Sequence, residues 1–412
     1  MSRTSRWFLA AMLIAAAPLV ASDEFNKNMS GTVTYHGGRV LVEHRFGSVR
    51  VHTTTANEVT ARATVHSSDA ELGNMFRFAV TNSDEGVVVR TSVPQMHMRG
   101  ENVSWSADVD VTIPERAPLV LRNSFGSVEV SGLRAPAEIT DRQGSIDAKD
   151  IRGGRIETAF GSINLEGSEG DTTLQNANGA INASDVRGQL TITNRFGSVT
   201  VRRVDKGLSI ANSNAAVSAV DIKGPASISN SFASTEVRNV GGPTSIASQN
   251  GNVAAAEITG DLSVNTRFGL VKVEHIRGSL SVDNSNGGVT ASDINGDAHV
   301  KTSFASVFLK GIDGGVDVEN QNGAIAVSEL RGGCNDVSLR TTYAPIRIAL
   351  GPNASYTVTT RTTYGTIETE VPYTVTSRSS NETSSTESAV IGKGQCHMEL
   401  VTTNGGIRIT QE

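Results

Sequence analysis

One spacing constrains this chain more than any other feature. A start motif, "F-G-S-V" or "N-G-x-V/I" in its fuller forms, returns at Phe125, Gln143, Phe160, Asn178, Phe196, Asn214, Phe232, Asn250, Phe268, Asn286, Phe304 and Asn322. Every step is 18 residues except a single 17, between Gln143 and Phe160. A unit this short buries its apolar face only by stacking on its neighbours. It is too short for the common helical repeats and suits one coil of a β-solenoid.

The apolar positions carry strand spacing. Three residues after the start stand Val128, Ile146, Ile163, Ile181, Val199 and their successors, with Thr235 the break. Eight after it stand Leu133, Ile151, Val186, Val204 and Ile222, with Ser168 the exception. A third column runs from Leu174 through Ile192, Ile210 and Ile228 to Val318. Polar residues alternate around each column, as on strands with one buried face. The expectation is an all-β, parallel β-solenoid of about twelve 18-residue coils, three short strands to a coil, with β-rich N- and C-terminal caps. Two residues before each start, a column of Asn, Thr, Ser and Asp suits hydrogen bonds along the axis and to the turn backbone.

Successive coils differ in one respect. Five residues after each Phe comes a larger residue, as in Val130, Leu165 and Val201; after the alternate starts comes Ala148, Ala183 or Ala219. The packing expectation is that each Phe ring leans over the space beside its neighbour's Ala. The rival is an exposed ladder of rings. On the packing expectation the true unit is 36 residues, two coils.

The flanks set the organisation. Residues 1–22, with Arg3 and Arg6, an apolar run from Trp7 and small residues at Ala21 and Ser22, read as a secretory signal peptide. Its apolar run falls short of a membrane span, and no later segment is apolar enough for one. Residues 23–118 read as a β-rich N-terminal cap, 119–333 as the regular solenoid, and 334–412 as irregular coils and a C-terminal cap. The last region contains three further starts, at Tyr343, Tyr364 and Asn404, and a mobile Ser/Thr-rich loop, 376–388. The compartment expected is outside the inner membrane: periplasm, cell surface or medium.

Candidate chemistry is sparse. The net charge is −6 and no block of Lys or Arg occurs, which argues against nucleic acid and anionic membrane surfaces as partners. An acidic column, Asp150, Asp185, Asp221, Glu257, Asp293 and Glu329, stands seven residues after the alternate starts. Its members lie two coils apart, too far to chelate calcium, and Arg152, Arg187, Lys223 and Arg331 two positions later suit surface ion pairs. His36, His44 and His52 are scattered, and "MHMR", Met96 to Arg99, is read as ordinary surface rather than a copper site. No catalytic, cofactor-binding or metal residues are assigned, and no cofactor. Cys334 and Cys396 sit in an exported chain where a disulfide is chemically allowed. By sequence order they fall two coils apart, beyond disulfide reach, unless the last segment folds back, so their pairing stays open.

"DVDVTIPERAPLVLRNSFGSVEVSGL", Asp108 to Leu133, with the recurrent "NGxI" and "FGSV" units and the closing "TTYGTIE" and "TTNGGIRI", resembles the exported putative-adhesin family of bacteria. These are β-strand-repeat domains of unknown function, similar in style to the head-GIN domain. The resemblance implies a β-solenoid outside the inner membrane and supplies no catalytic residues. The function expected is non-enzymatic binding or scaffolding at the cell envelope, with an envelope protein or glycan as partner, or self-association. The alternative is a β-helix polysaccharide lyase or glycoside hydrolase, since such solenoids house both.

Overall fold

The computed structural model describes residues 25–93, 104–332 and 334–412. The signal segment and the Met96–Arg99 motif lie outside the described residues. The chain is a parallel β-solenoid of about 13 coils, formed by two sheets that face each other across one continuous core. A central coil shows the plan. Val199–Val204 lies in the first sheet and Leu208–Asn212 in the second. Both pair in register with the strands 18 residues before and after them.

Each coil therefore has two strands, where three were expected. The columns at three, five and eight residues after the start share one strand: Val199, Val201 and Val204 all point inward, with Arg202 and Arg203 outside between them. Two successive outward residues are possible because the second takes a left-handed backbone, φ 56° at Arg203. The same kink recurs at Asp185, Asp221, Asn239, Glu257, His275, Asp293 and Glu329, and at Gly132, Gly167 and Gly311. Asp, Asn and Gly tolerate this region best, so the acidic column is first a column of backbone kinks.

The other strand ends on the polar column. In Leu208–Asn212 the residues Leu208, Ile210 and Asn212 are buried. Asn194, in the coil before, donates through Nδ2 to the carbonyls of Gly179 (3.1 Å) and Gly197 (2.8 Å). The buried amide thus ties the turns of two coils together and pays for its own burial with hydrogen bonds. Gly197, φ 140°, sits where a Cβ would fall 2.2 Å from the Gly179 carbonyl oxygen, so no side chain fits.

The terminal coils are out of chain order. At the N-terminal end Arg39–Glu43 and Val49–Thr54 insert between the coil of Gly86–Ser92 and Trp105–Pro114 and the coil beginning at Leu119. At the C-terminal end Cys396–Val401 and Ile407–Gln411 insert between the coil of Val337–Arg340 and Ile346–Leu350 and that of Tyr356–Thr362 and Ile367–Thr369. Antiparallel strands cover both ends: Phe25–Thr34, Glu58–Ser67 and Arg77–Ser83 at one, Thr374–Ser380 and Ser385–Ile391 at the other. These strands pair the edges of the terminal coils, and Phe25–Thr34, Arg77–Ser83 and Thr374–Ser380 are left as the outermost strands. Segment 376–388, expected as a loop, is largely this last hairpin, closed at Asn381 to Ser384.

The inserted coil changes the cysteine geometry. Cys334 leads into the coil of Val337, and Cys396 starts the coil beside it, so their Cα atoms are 5.4 Å apart. The two-coil separation expected from chain order is overturned. No helix of the described residues is long and apolar enough to cross a membrane.

Candidate functional site

The start residues of the repeat occupy one outer corner, at the turn after the buried polar column. Strand alternation alone would turn Phe196 inward, since it lies two residues beyond inward Asn194. The chain rounds the corner there, Asn194 stays inside to bind the turn carbonyls, and Phe196 is left outside. The rings are exposed: 38% at Phe125, between 50% and 61% at Phe160, Phe196, Phe232, Phe268 and Phe304, and above 60% at Tyr343 and Tyr364. This overturns the packing expectation. Ala183 and Ala219 are buried between the sheets, out of reach of rings on the corner, and the rival reading of an exposed ladder is the correct one.

Between the rings stand amides. Phe160 pairs with Gln143 on one side and Asn178 on the other, and Asn178 pairs with Phe196. Asn178, Asn214 and Asn322 each donate Nδ2 to the carbonyl of the residue before the preceding Phe, at 3.0 to 3.1 Å. These side chains lie down along the corner, while the rings stand clear of it.

The alternation follows space rather than chain order. In sequence the last starts run Tyr343, Tyr364, Asn404. In the solenoid Asn404 N–H bonds to the Thr342 carbonyl and Tyr364 N–H to the Thr403 carbonyl, so the order is Tyr343, Asn404, Tyr364. Ring and amide still alternate after the coil has been moved. At the other end the ladder closes differently. Phe46 stacks on Phe125 with centroids 5.0 Å apart and planes 4° from parallel, and Trp105 meets Phe46 edge-on at 5.5 Å.

The flanking positions of the corner are small and uncharged apart from a few arginines. Residues before each start are mainly Ser, Ala, Gln or Thr, with Arg142, Arg195 and Arg267, and those after it are Gly or Ala. No carboxylate stands in these flanking columns from Ser124 to Thr366. Leu270, 61% exposed, adds to the apolar strip beside Phe268.

The acidic column lies at the kinks, and its first three members, Asp150, Asp185 and Asp221, line a groove of about 1090 Å³ together with Arg187, Arg203 and Lys223. Its partners are mostly not the expected residues two positions on. Asp185 takes two bonds from Arg203, at 2.6 and 2.8 Å, and Asp221 accepts from Asn239 at 2.6 Å. The kink residues of adjacent coils are nearest neighbours along the axis, which is why they pair. Arg331 alone behaves as expected, reaching Glu329 at 3.3 Å, and it also reaches Asp293 at 2.8 Å. Hydrogen bonding to Arg203 holds the Asp185 carboxyl below its ordinary value, and bonding to Lys310 does the same for Glu329.

The remaining candidates do not converge. His36 and His52 are exposed on separate segments, while His44 is buried, with Nδ1 2.7 Å from Thr91 Oγ1, and burial lowers its pKa to about 4. No group of three His, Cys, Asp or Glu suited to a metal occurs among the described residues.

No family model matches this chain, and no curated protein does. The solved structures that match this chain include two putative adhesion proteins. A putative cell adhesion protein from Clostridium sporogenes shares 10% identity, covering 94% of this chain and 100% of its own, with a TM-score of 0.20. A putative adhesin from Parabacteroides distasonis shares 12%, covering 77% of this chain and 98% of its own, with a TM-score of 0.23.

Proposed function

We propose that this chain is an exported, non-enzymatic binding scaffold of the bacterial cell envelope, adhesin-like in its use of a long repetitive face. The observation that supports this reading is the aromatic ladder. Half-exposed rings recur on one corner along the solenoid, and their alternation with amides persists where the coils leave chain order. A regular row of exposed rings on an otherwise polar surface suits an interaction site. In the same reading the leader at 1–22 is removed on export, and Cys334 and Cys396 form a disulfide, which the export compartment allows.

The lyase or hydrolase alternative has less to support it. A glycosidase acid needs a pKa raised towards its working pH, and in the acidic groove Asp185 is shifted the other way. Asp141, whose carboxyl burial raises to about 6, is only 2% exposed in the polar column beneath the corner, out of reach of a substrate on the surface.

The test is capture from envelope fractions by the mature chain, side by side with the combined variant Phe196→Asn, Phe232→Asn and Phe268→Asn. Glycan and protein components are both analysed. The proposal expects bound components that the variant loses. Equal capture by both proteins would sink the ladder as the binding face. A polysaccharide-degrading activity abolished by Asp185→Asn with Asp221→Asn would favour the enzyme instead.

A further inference from the structure

We infer that the partner of the ladder is a second copy of this chain, lying antiparallel, with the rings of each copy seated in the gaps between rings of the other. This rests on the reading of the ladder as a binding face and adds the identity of what binds.

The size of the gap is the first observation. Phe46 and Phe125 lie on adjacent coils without an amide between them, and their rings stack in parallel at 5.0 Å. One coil step is therefore the separation of two rings in contact. Beyond Phe125 every second ring is replaced by Asn or Gln, so consecutive rings are two coil steps apart, roughly 9–10 Å. Each gap admits one ring that touches both walls. The amide does not fill it, because Asn214 and Asn322 are drawn down onto backbone carbonyls. The fold itself does not demand the gaps, as the Phe46–Phe125 stack shows.

The pitch is the second observation. An occupant of successive gaps must repeat every two coils, and a second copy carries rings at that spacing by construction. A two-fold axis perpendicular to the solenoid, passing between the coils of Phe232 and Asn250, sets seven of the eight rings from Phe125 to Tyr364 opposite an amide of the other copy and Tyr364 opposite Phe46. The contact is isologous and closes as a dimer. A ring placed in this way gains offset or parallel stacking on both faces.

The area is the third. An aromatic side chain buries 150–250 Å², so seven half-exposed rings seated in this way would cover about 100 Å² each and ~700 Å² per partner. That is about what a specific interface of standard size buries on each side. The Gly and Ala residues after each start let two corners approach closely, and the flanking columns carry no carboxylate to desolvate.

Light scattering or sedimentation on the mature chain, from micromolar to near-millimolar concentration, tests this. The wild type should rise from the mass of one chain to twice that mass and no further. The Phe196→Asn, Phe232→Asn and Phe268→Asn variant should stay at one chain mass with an unchanged circular dichroism spectrum. The Asn it introduces is the residue that neighbouring coils already carry at this corner, so the fold should accept it. A wild type that stays monomeric, or a dimer that the variant retains, overturns the inference. If the wild type is monomeric, gel retardation by soluble envelope polysaccharide separates the two readings. Retardation lost in the variant leaves the ladder a binding face with a glycan on it, whereas no ring-dependent retardation, together with equal envelope capture by both proteins, removes both.

Discussion

Asp141 stands in a buried column whose other members from Asn123 onward are Asn, Thr or Ser. Its carboxyl accepts one N–H, from Arg142 at 2.8 Å, while Oδ2 has no partner. Burial pushes its pKa up to about 6. A raised carboxyl pKa means that the folded state binds a proton which the unfolded state releases, so stability rises as pH falls from about 6 towards 4. Above that window the buried charge is a standing cost. Asp141→Asn should therefore stabilise the protein at pH 7 by on the order of 1–2 kcal/mol, after discounting for solvent near the corner. The gain should vanish near pH 4. Neutral buried His44 works in the opposite sense, losing stability as pH falls from 6.5 towards its lowered value of about 4. It is common to both proteins and cancels in their difference. Denaturant titrations of the pair at pH 4 and pH 7 measure this, and a gain at pH 4 equal to that at pH 7 would contradict it.

At the scale of the strand, the kink decides what a side chain can be. Asp221 has φ 62°, a region that costs a β-branched residue about 1–2 kcal/mol. Asp221→Val and Asp221→Gly both lose the bond from Asn239, so their difference isolates the backbone. The valine variant should be the less stable by about 1–2 kcal/mol, and equal stabilities would show that the kink is unstrained. These kinks also explain what was legible in the sequence. The 18-residue period and the inward columns survive in plain view, because every coil buries the same positions. The strand count was hidden, since a single left-handed residue lets Val199, Val201 and Val204 share one strand across an interruption in the alternation. The ring column was misread for a related reason: alternation assigns a side only while the chain runs straight, and Phe196 lies beyond the corner. The kink partners were missed because Arg203 is distant from Asp185 in sequence and adjacent along the axis. What could have pointed to them is the alternation of sign at that one position, from Asp185 to Arg203 to Asp221.

For the whole molecule, the order of the terminal coils is the feature no linear reading supplies. A strand pair near the chain's end, Cys396–Val401 and Ile407–Gln411, slots between two earlier coils, and Cys334 lies beside it. A disulfide there would close a loop spanning a sequence separation of 62 residues and is worth about 2–4 kcal/mol. Thiol titration of the denatured, unreduced exported protein should find no free cysteine, and Cys396→Ser should unfold at lower denaturant. Two free thiols in the exported protein would contradict the pairing.

The ladder is the larger matter at this scale, because it separates what holds the solenoid together from what the solenoid presents. Core residues such as Ile210 close the space between the sheets, and rings on the corner close nothing. The direct measurement is denaturant unfolding of the combined variant Phe196→Asn, Phe232→Asn and Phe268→Asn, at a concentration where it and the wild type are both monomeric. Ile210→Ala serves as the comparison. The rings should cost less than about 0.5 kcal/mol each, as surface substitutions do, while Ile210→Ala alone costs about 2–5 kcal/mol. A ring variant that loses as much per site as Ile210→Ala would put the ladder in the core and contradict its role as an exposed face.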